Sequence, residues 1–361
     1  MLDQPEIEIP IESFSSGAKH APDLTALTNT FEFWPAWTIH LPMVLLGIYQ
    51  GFRLGNLNFF PAVNPGMTNG GLFNYSKYDS LSNFSKENIP AGILSNPPHH
   101  LDQLLTQAHE KRIGFPFILK PDIGERGRGV SLISNQQAAE NYLKTFRNEA
   151  VILQEFVSKK EEYGIFILKN PKTGEIKIPS ITQKIPLQVL GNGLDSVEKL
   201  VQKHPRAKRY IQEIPKDLMS FVPEPNRIFQ LSIKGNHCKG AVFVDRSELI
   251  TPEVISSFAK ICQPFQHFFY GRLDIKVNSS AELVDPHLVS ILEVNGANAE
   301  PIHIYSPGIS YFRSLGILSN FFSHMAQIAR FNLNSIHPKP SLSALKSSFQ
   351  SYLHLKKSTH E

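Results

Sequence analysis

The sequence predicts an α+β protein built from more than one lobe. Short apolar runs bounded by Gly and Pro, such as FPFILKP, GVSLI and EYGIFILKN, read as strands. They alternate with segments of helical spacing, such as SNQQAAENYLKTF and TPEVISSFAKICQPF. At 361 residues the chain is long enough for two or three compact bodies, and 41% hydrophobic with 19% charged residues is the composition of a folded protein.

Taken in order, residues 1–30 are polar with Pro and Ser and predict a flexible leader. Residues 31–110 predict a small lead-in domain: an apolar segment, the turn-rich PAVNPGMTNGGLFNYSKYD, and helices near YDSLSNFSKENI and LDQLLTQAHEK. A first α+β lobe follows over 111–190, with strands FPFILKP, GVSLI, VILQEFV, EYGIFILKN and EIKIPSITQK. A second spans 191–336, with strands RIFQLSI, GAVFVD, GRLDIKV and VSILEVN, a helix at TPEVISSFAKICQPF and another near ISYFRSLGILSNFFSHMAQIARF. Residues 337–361 predict a loosely held tail.

Within the lead-in domain, Phe33 to Phe52 contains no Asp, Glu, Lys or Arg, and Trp34, Trp37 and Tyr49 lie towards its ends. The length matches a bilayer crossing, and the aromatic residues favour a membrane interface. Pro35, Pro42, His40 and Gln50 oppose a spanning helix. The reading is a buried or half-buried helix starting near Pro42, with interfacial membrane contact as the alternative.

The net charge of +4 suits an anionic small ligand and is too mild to be a footprint for nucleic-acid binding. Two cysteines, Cys238 and Cys262, without paired spacing indicate neither a disulfide framework nor a zinc site, and fit a reducing cytoplasm. The acidic start MLDQPEIEIPIES lacks the apolar run of a secretory signal.

The most informative stretch is FILKPDIGERGRGVSLI. Gly124, Gly127 and Gly129 lie between two strand patterns, and the helix comes only after SLISN. A P-loop or dinucleotide fingerprint opens directly into a helix, so neither fits. The glycines belong instead to a β-hairpin whose amides, with Arg126 and Arg128, can close over phosphates. Lys120, at the end of the preceding strand, is a cation suited to pair with them. The plain alternative is a solvated turn.

In GRLDIKV, Arg272 and Asp274 share one strand face; in VSILEVN, Glu293 and Asn295 do the same, with Leu292 and Val294 on the other side. If the strands are neighbours, one sheet face gathers Arg, Asp, Glu and Asn. Burying such groups without partners is costly. A magnesium ion, which takes oxygen ligands, would supply one, with a structural Arg–carboxylate network as the bland alternative. In VILQEFVSKKEEY, Gln154 and Glu155 end a strand. Main-chain groups over Glu155–Val157 can read an adenine edge, and Glu162 can reach ribose hydroxyls.

These pieces, in this order, resemble the ATP-grasp superfamily and most of all its D-alanine–D-alanine ligase branch. The similar stretches are SKYDSLSNFSKENIPAG, GFPFILKPDIGERGRGV, LQEFVSKKEEYGIFIL, GRLDIKV and ILEVNGANAEP, over roughly residues 76–300. The resemblance implies two α+β lobes gripping ATP, with a carboxylate activated as an acyl phosphate and joined to an amine. It implies Lys77 and Lys120 as nucleotide-contacting lysines, Lys184 as a further phosphate contact, and Gly127 and Gly129 in the flap. Gln154, Glu155, Phe156 and Val157 would lie at the adenine and Glu162 at the ribose. Asp274, Glu293 and Asn295 would hold Mg2+, with Mn2+ as a substitute, and Arg272 would stabilise the transferring phosphoryl group. The partners implied are a small-molecule carboxylate and amine. VLGNGLDSVEKLV is similar to a segment that lies near the amino-acid substrate in cyanophycin-synthetase-type relatives. FWPAWTIHLP and NPGMTNGG depart from the glycine-rich opening of a dipeptide ligase. A non-catalytic ATP-binding module, docked on a membrane by residues 33–52, is the competing reading.

Overall fold

The computed structural model describes residues 15–19 and 30–358, except 125–126, 233–234, 236–238 and 336–339; Arg126 and Cys238 therefore lie outside the described residues. The chain divides into two compact units. One comprises Met1–Asn29, Pro90–Ser158 and Lys184–Val244, the other Thr30–Ile89, Lys159–Gln183 and Asp245–Glu361. The sequence suggested consecutive blocks. Each unit is instead assembled from three separated stretches, because strands far apart in the chain pair with one another.

In the first unit, β2 (Gly92–Ser95), β5 (Val151–Glu155), β3 (Phe117–Pro121) and β4 (Ser131–Ile133) form an antiparallel sheet in that order. The pairs Phe117↔Ile133 and Leu119↔Ser131 make β3 and β4 the hairpin expected around the glycine loop. Phe117, Leu119, Val151 and Leu153 pack with Leu104 and Ala108 of α3 (Leu101–Glu110) and with Ala139, Tyr142 and Leu143 of α4 (Gln136–Thr145). The Asn135 side chain accepts from the Ala138 amide at 2.9 Å and starts α4, as the Ser-Asn pair predicts.

A second sheet in this unit has the order β1 (Ser15–Lys19), β9 (Arg227–Gln230), β8 (Gln188–Leu190). Its core joins Leu187, Val189 and Phe229 to Val197 and Val201 of α5 (Val197–Lys203). β1 corrects the expectation of a wholly flexible leader: five of those residues are a strand paired with β9. The remainder of the leader up to residue 29 lies outside the described residues. β10 (Val242–Asp245) is the strand in which the chain passes into the second unit.

The second unit is built on β7 (Ile176–Ile185), β6 (Glu161–Lys169), β11 (Tyr270–Val277) and β12 (Ser290–Asn295), which lie side by side in that order. One face packs Ile165, Ile167, Leu273, Ile275, Ile291 and Val294 against Val254, Phe258 and Ile261 of α6 (Pro252–Ile261). On the other face Phe166 and Tyr270 pack with Phe321, Met325 and Ile328 of α7 (Tyr311–Asn332).

α1 (Trp37–Leu54) packs on α7 through Ile39 and Leu318, and the Gln50 Nε2 donates to the Ser323 Oγ at 3.4 Å. It begins five residues ahead of Pro42, where the sequence reading placed its start. Pro42 has no N–H for the Thr38 carbonyl four residues back. The Tyr311 hydroxyl donates to that carbonyl at 2.8 Å instead, so the helix continues through the proline. The opposite face of α1 is exposed, which makes this a half-buried helix. No helix among the described residues is long and apolar enough to cross a membrane. The tail is not loose either. It contains α8 (Leu342–Ser358), whose Phe349 and Tyr352 meet Phe73 at ring-centroid distances of 6.1 and 5.8 Å.

Candidate active site

β11 and β12 are antiparallel neighbours with Arg272 opposite Asn295 and Asp274 opposite Glu293. Alternation therefore brings all four side chains to the sheet face away from α6. Arg272 grips Asp274 in bidentate fashion, Nε to Oδ1 at 2.7 Å and one Nη to Oδ2 at 3.1 Å; its other Nη donates to the Glu300 carbonyl at 3.0 Å. The Asn295 amide also donates to Asp274 Oδ2, at 3.2 Å. Burial works against the Arg272 charge, but Asp274, with Glu293 and Glu300 nearby, outweighs it and holds the guanidinium above its ordinary value. The register shifts after Asp274, so Leu292 falls at the irregularity. Val294 enters the core as expected, and Leu292 is not among the core residues.

The donor chemistry fits a hard divalent cation. Asp274 and Glu293 offer carboxylate oxygens side by side and Asn295 an amide oxygen. Among the described residues no group of three or more His, Cys, Asp and Glu side chains could hold a metal by itself. A set of two carboxylates and an amide is what magnesium accepts when phosphate and water complete its shell.

Several supporting residues escaped the sequence reading. The Tyr75 hydroxyl donates to Asn295 Oδ1 at 3.4 Å and accepts from Asn298 Nδ2 at 3.5 Å. Asn64 is fully buried, with Nδ2 donating to the carbonyls of Gly70 and Tyr270 at 3.0 and 2.8 Å, and Oδ1 accepting from the amides of Phe269 and Tyr270 at 2.8 and 2.9 Å. Gly70 and Gly71, at φ 67° and 76°, have carbonyls that accept from the amides of Ala297 and Asn298 at 2.9 and 3.1 Å. A Cβ on Gly71 would lie 2.6 Å from the Gly296 Cα. The unexplained NPGMTNGG motif is thus the brace of the GANAE loop that follows β12. The Asn-Pro-Gly and Asn-Gly-Gly runs were visible as turn signals, but the partners of Asn64 on and beside β11, more than 200 residues away, were not.

Gly164 on β6 lies opposite Asp274, and the Arg272 side chain crosses it: a Cβ there would meet Arg272 Cδ at 2.9 Å and Ile302 Cδ1 at 3.0 Å. Two residues earlier, Glu162 sits opposite Lys276. Burial pushes the Lys276 amine below its ordinary value, with Glu162 pulling the other way. Lys276 was legible as the next residue on the Arg-x-Asp face. Lys77 is buried at the start of α2 (Lys77–Ser82), which Ser76 caps by accepting from the Asp79 amide at 2.9 Å.

In the first unit, Lys120 and Gln154 are both buried and share, with Ile118 and Ile152, the sheet face opposite the α3–α4 core. The exposed Glu155 exchanges two bonds with Ala91. Its amide donates to the Ala91 carbonyl at 2.8 Å and its carboxylate accepts from the Ala91 amide at 3.2 Å. Phe156 and Val157 follow half-buried, and Lys184 is buried next to the end of β7. Gly127 and Gly129 both have left-handed φ, and the Tyr142 hydroxyl donates to the Gly129 carbonyl at 2.7 Å. Arg128 is paired with Glu149 at 2.8 Å and lies over the Phe146 ring at 5.8 Å, so it secures the hairpin.

Residues 76–171 match the RimK-like ATP-grasp domain. Cyanophycin synthetase of Nostoc sp. is 23% identical over 238 residues, covering 60% of this chain and 25% of that protein. A bifunctional glutathione biosynthesis protein of Desulfotalea psychrophila is 25% identical over 215 residues, covering 53% and 27%. The chain thus spans only about a quarter of the length of these curated relatives. D-alanine–D-alanine ligase from Bacillus anthracis aligns with a TM-score of 0.41 at 13% identity, over 72% of this chain and 69% of that one. The family match over residues 76–171 is in accord with the resemblance carried by the sequence motifs.

Proposed function

We propose that the protein is an ATP-dependent carboxylate–amine ligase, ADP-forming, acting on an amino acid or peptide through an acyl phosphate. The observation that carries this reading is the cross-strand pairing of Asp274 with Glu293 and of Arg272 with Asn295 on one sheet face. Asp274, Glu293 and Asn295 would hold a magnesium ion, which when bound supplies neutralisation of phosphate charge. Lys77, Lys120 and Lys184 are assigned to the polyphosphate, Gly127 and Gly129 to the flap over it, Gln154 to Val157 to the adenine, and Glu162 to the ribose.

In this mechanism a carboxylate oxygen attacks the γ-phosphorus and ADP departs. The amine then attacks the acyl carbon, phosphate leaves, and the amine gives up a proton. Arg272 has three of its five N–H groups engaged by Asp274 and Glu300. That leaves two to stabilise charge on the transferring phosphoryl group. The Asp274 clamp fixes their direction in advance, which is what makes such donors effective. Flap closure excludes the water that would hydrolyse the acyl phosphate.

The test is ADP formation across a panel of amino acids and dipeptides, with product mass measured. ATP binding without turnover over the whole panel defeats the ligase reading. A finer check is Gly164→Ala. The added methyl pushes Arg272 aside, and a displacement near 1 Å costs roughly a hundredfold in turnover. The expected result is a fall in kcat with little change in the KM for ATP. An unchanged kcat would remove Arg272 from the chemistry.

A further inference from the structure

We infer that the outer face of α1 docks on an anionic lipid surface. Trp37, Leu41, Val44, Leu45, Ile48 and Phe52 recur every three or four residues, so they form one stripe along the helix. All are exposed, Trp37 by 65% and Phe52 by 71%. The opposite face, with Ile39, Gly47, Gln50 and Gly51, is the buried one. The stripe continues at both ends. Trp34 meets the Tyr311 ring at 5.2 Å, and Phe312, next along α7, is 81% exposed. Leu342, at the start of α8, borders the same cleft as Phe52 and Gly55. A contiguous stripe of large exposed apolar side chains marks an interaction site.

The charge pattern names the occupant. Residues 33–78 and 301–360, which contain α1, α7 and α8, hold eight Lys or Arg and no Asp or Glu. The rest of the chain carries 28 Lys or Arg against 32 Asp or Glu and is net acidic. The net positive charge therefore belongs to these segments. Arg53, Arg313, Arg330 and Lys346 are exposed, and Arg53 lies over the Tyr49 ring at 5.7 Å. Pairing two copies through this face would bring two net-positive layers together, and like charges oppose that. An anionic bilayer attracts them. Trp and Tyr favour the headgroup level, and a helix with an exposed apolar face and a basic margin lies in the interface plane rather than across it.

The experiment is flotation of the full chain with phosphatidylcholine vesicles, with and without phosphatidylglycerol, at low and high salt. The wild-type chain should float with the anionic vesicles, and binding should fall about tenfold on neutral vesicles or in high salt. Leu41→Glu with Ile48→Glu, both outward-facing, should weaken binding about tenfold or more with the melting temperature unchanged. Should the double variant melt early, Arg53→Gln and the salt series decide the matter. Equal binding to neutral and anionic vesicles overturns the inference, as does no flotation at low salt. So does a dimer in sedimentation analysis that Ile48→Glu dissociates, which would assign the stripe to a second copy of the chain.

Discussion

Replacing Glu293 by Ala is expected to lower magnesium-dependent ADP formation on the order of a thousandfold while leaving the protein folded. Glu293 is half-buried and takes no part in the Arg272 clamp, so its loss removes an oxygen donor and leaves the Arg272–Asp274 pair intact. Asp274→Ala should abolish turnover too, but with a second consequence. It strips a buried guanidinium of its partner, and breaking such a pair costs about 3–5 kcal/mol. The two variants should therefore agree in activity and differ in melting temperature. Kinetics against magnesium concentration, with thermal melting alongside, separates the effects. Near-wild-type turnover in both variants would refute the cation assignment.

The largest loss of stability should follow Asn64→Ala. One side chain holds four buried main-chain groups: two amides, at Phe269 and Tyr270, and two carbonyls, at Gly70 and Tyr270. The Gly70 carbonyl keeps a second donor, the Ala297 amide. The others lose theirs at about 1–3 kcal/mol apiece. A total of roughly 3–9 kcal/mol is a large share of the 5–15 kcal/mol that holds a typical domain together. Chemical denaturation would measure it. A change below about 1 kcal/mol would mean that the Asn64 bonds are not made in solution.

Local signals carried far in this sequence. Short apolar runs located β3, β4, β5, β6, β7, β11 and β12, and two-residue periodicity alone placed Arg272, Asp274, Glu293 and Asn295 on one face, since strand geometry leaves no alternative once the strands are adjacent. What stayed hidden was non-local. Pro42 argued for a later start to α1, and only the hydroxyl of Tyr311, 273 residues beyond Thr38, reverses that argument. The polar tail looked loose because nothing nearby announces that Phe349 and Tyr352 will find Phe73. The grouping of strands into units was equally illegible, since β2 and β5 belong together across more than fifty residues.

That interleaving has a consequence for how the molecule forms during synthesis. β6 leaves the ribosome about a hundred residues before β11, its partner along eight consecutive residue pairs from Tyr270↔Leu168 to Val277↔Glu161. Closing so long a loop is slow and leaves the edge of β6 uncovered in the interval. The Asp274–Glu293 hairpin, by contrast, is local and can form as soon as it emerges. The face that carries Arg272, Asp274, Glu293 and Asn295 is thus nucleated by its own last-made strands, and a nascent chain halted before residue 270 exposes an unpaired sheet edge for chaperones to shield.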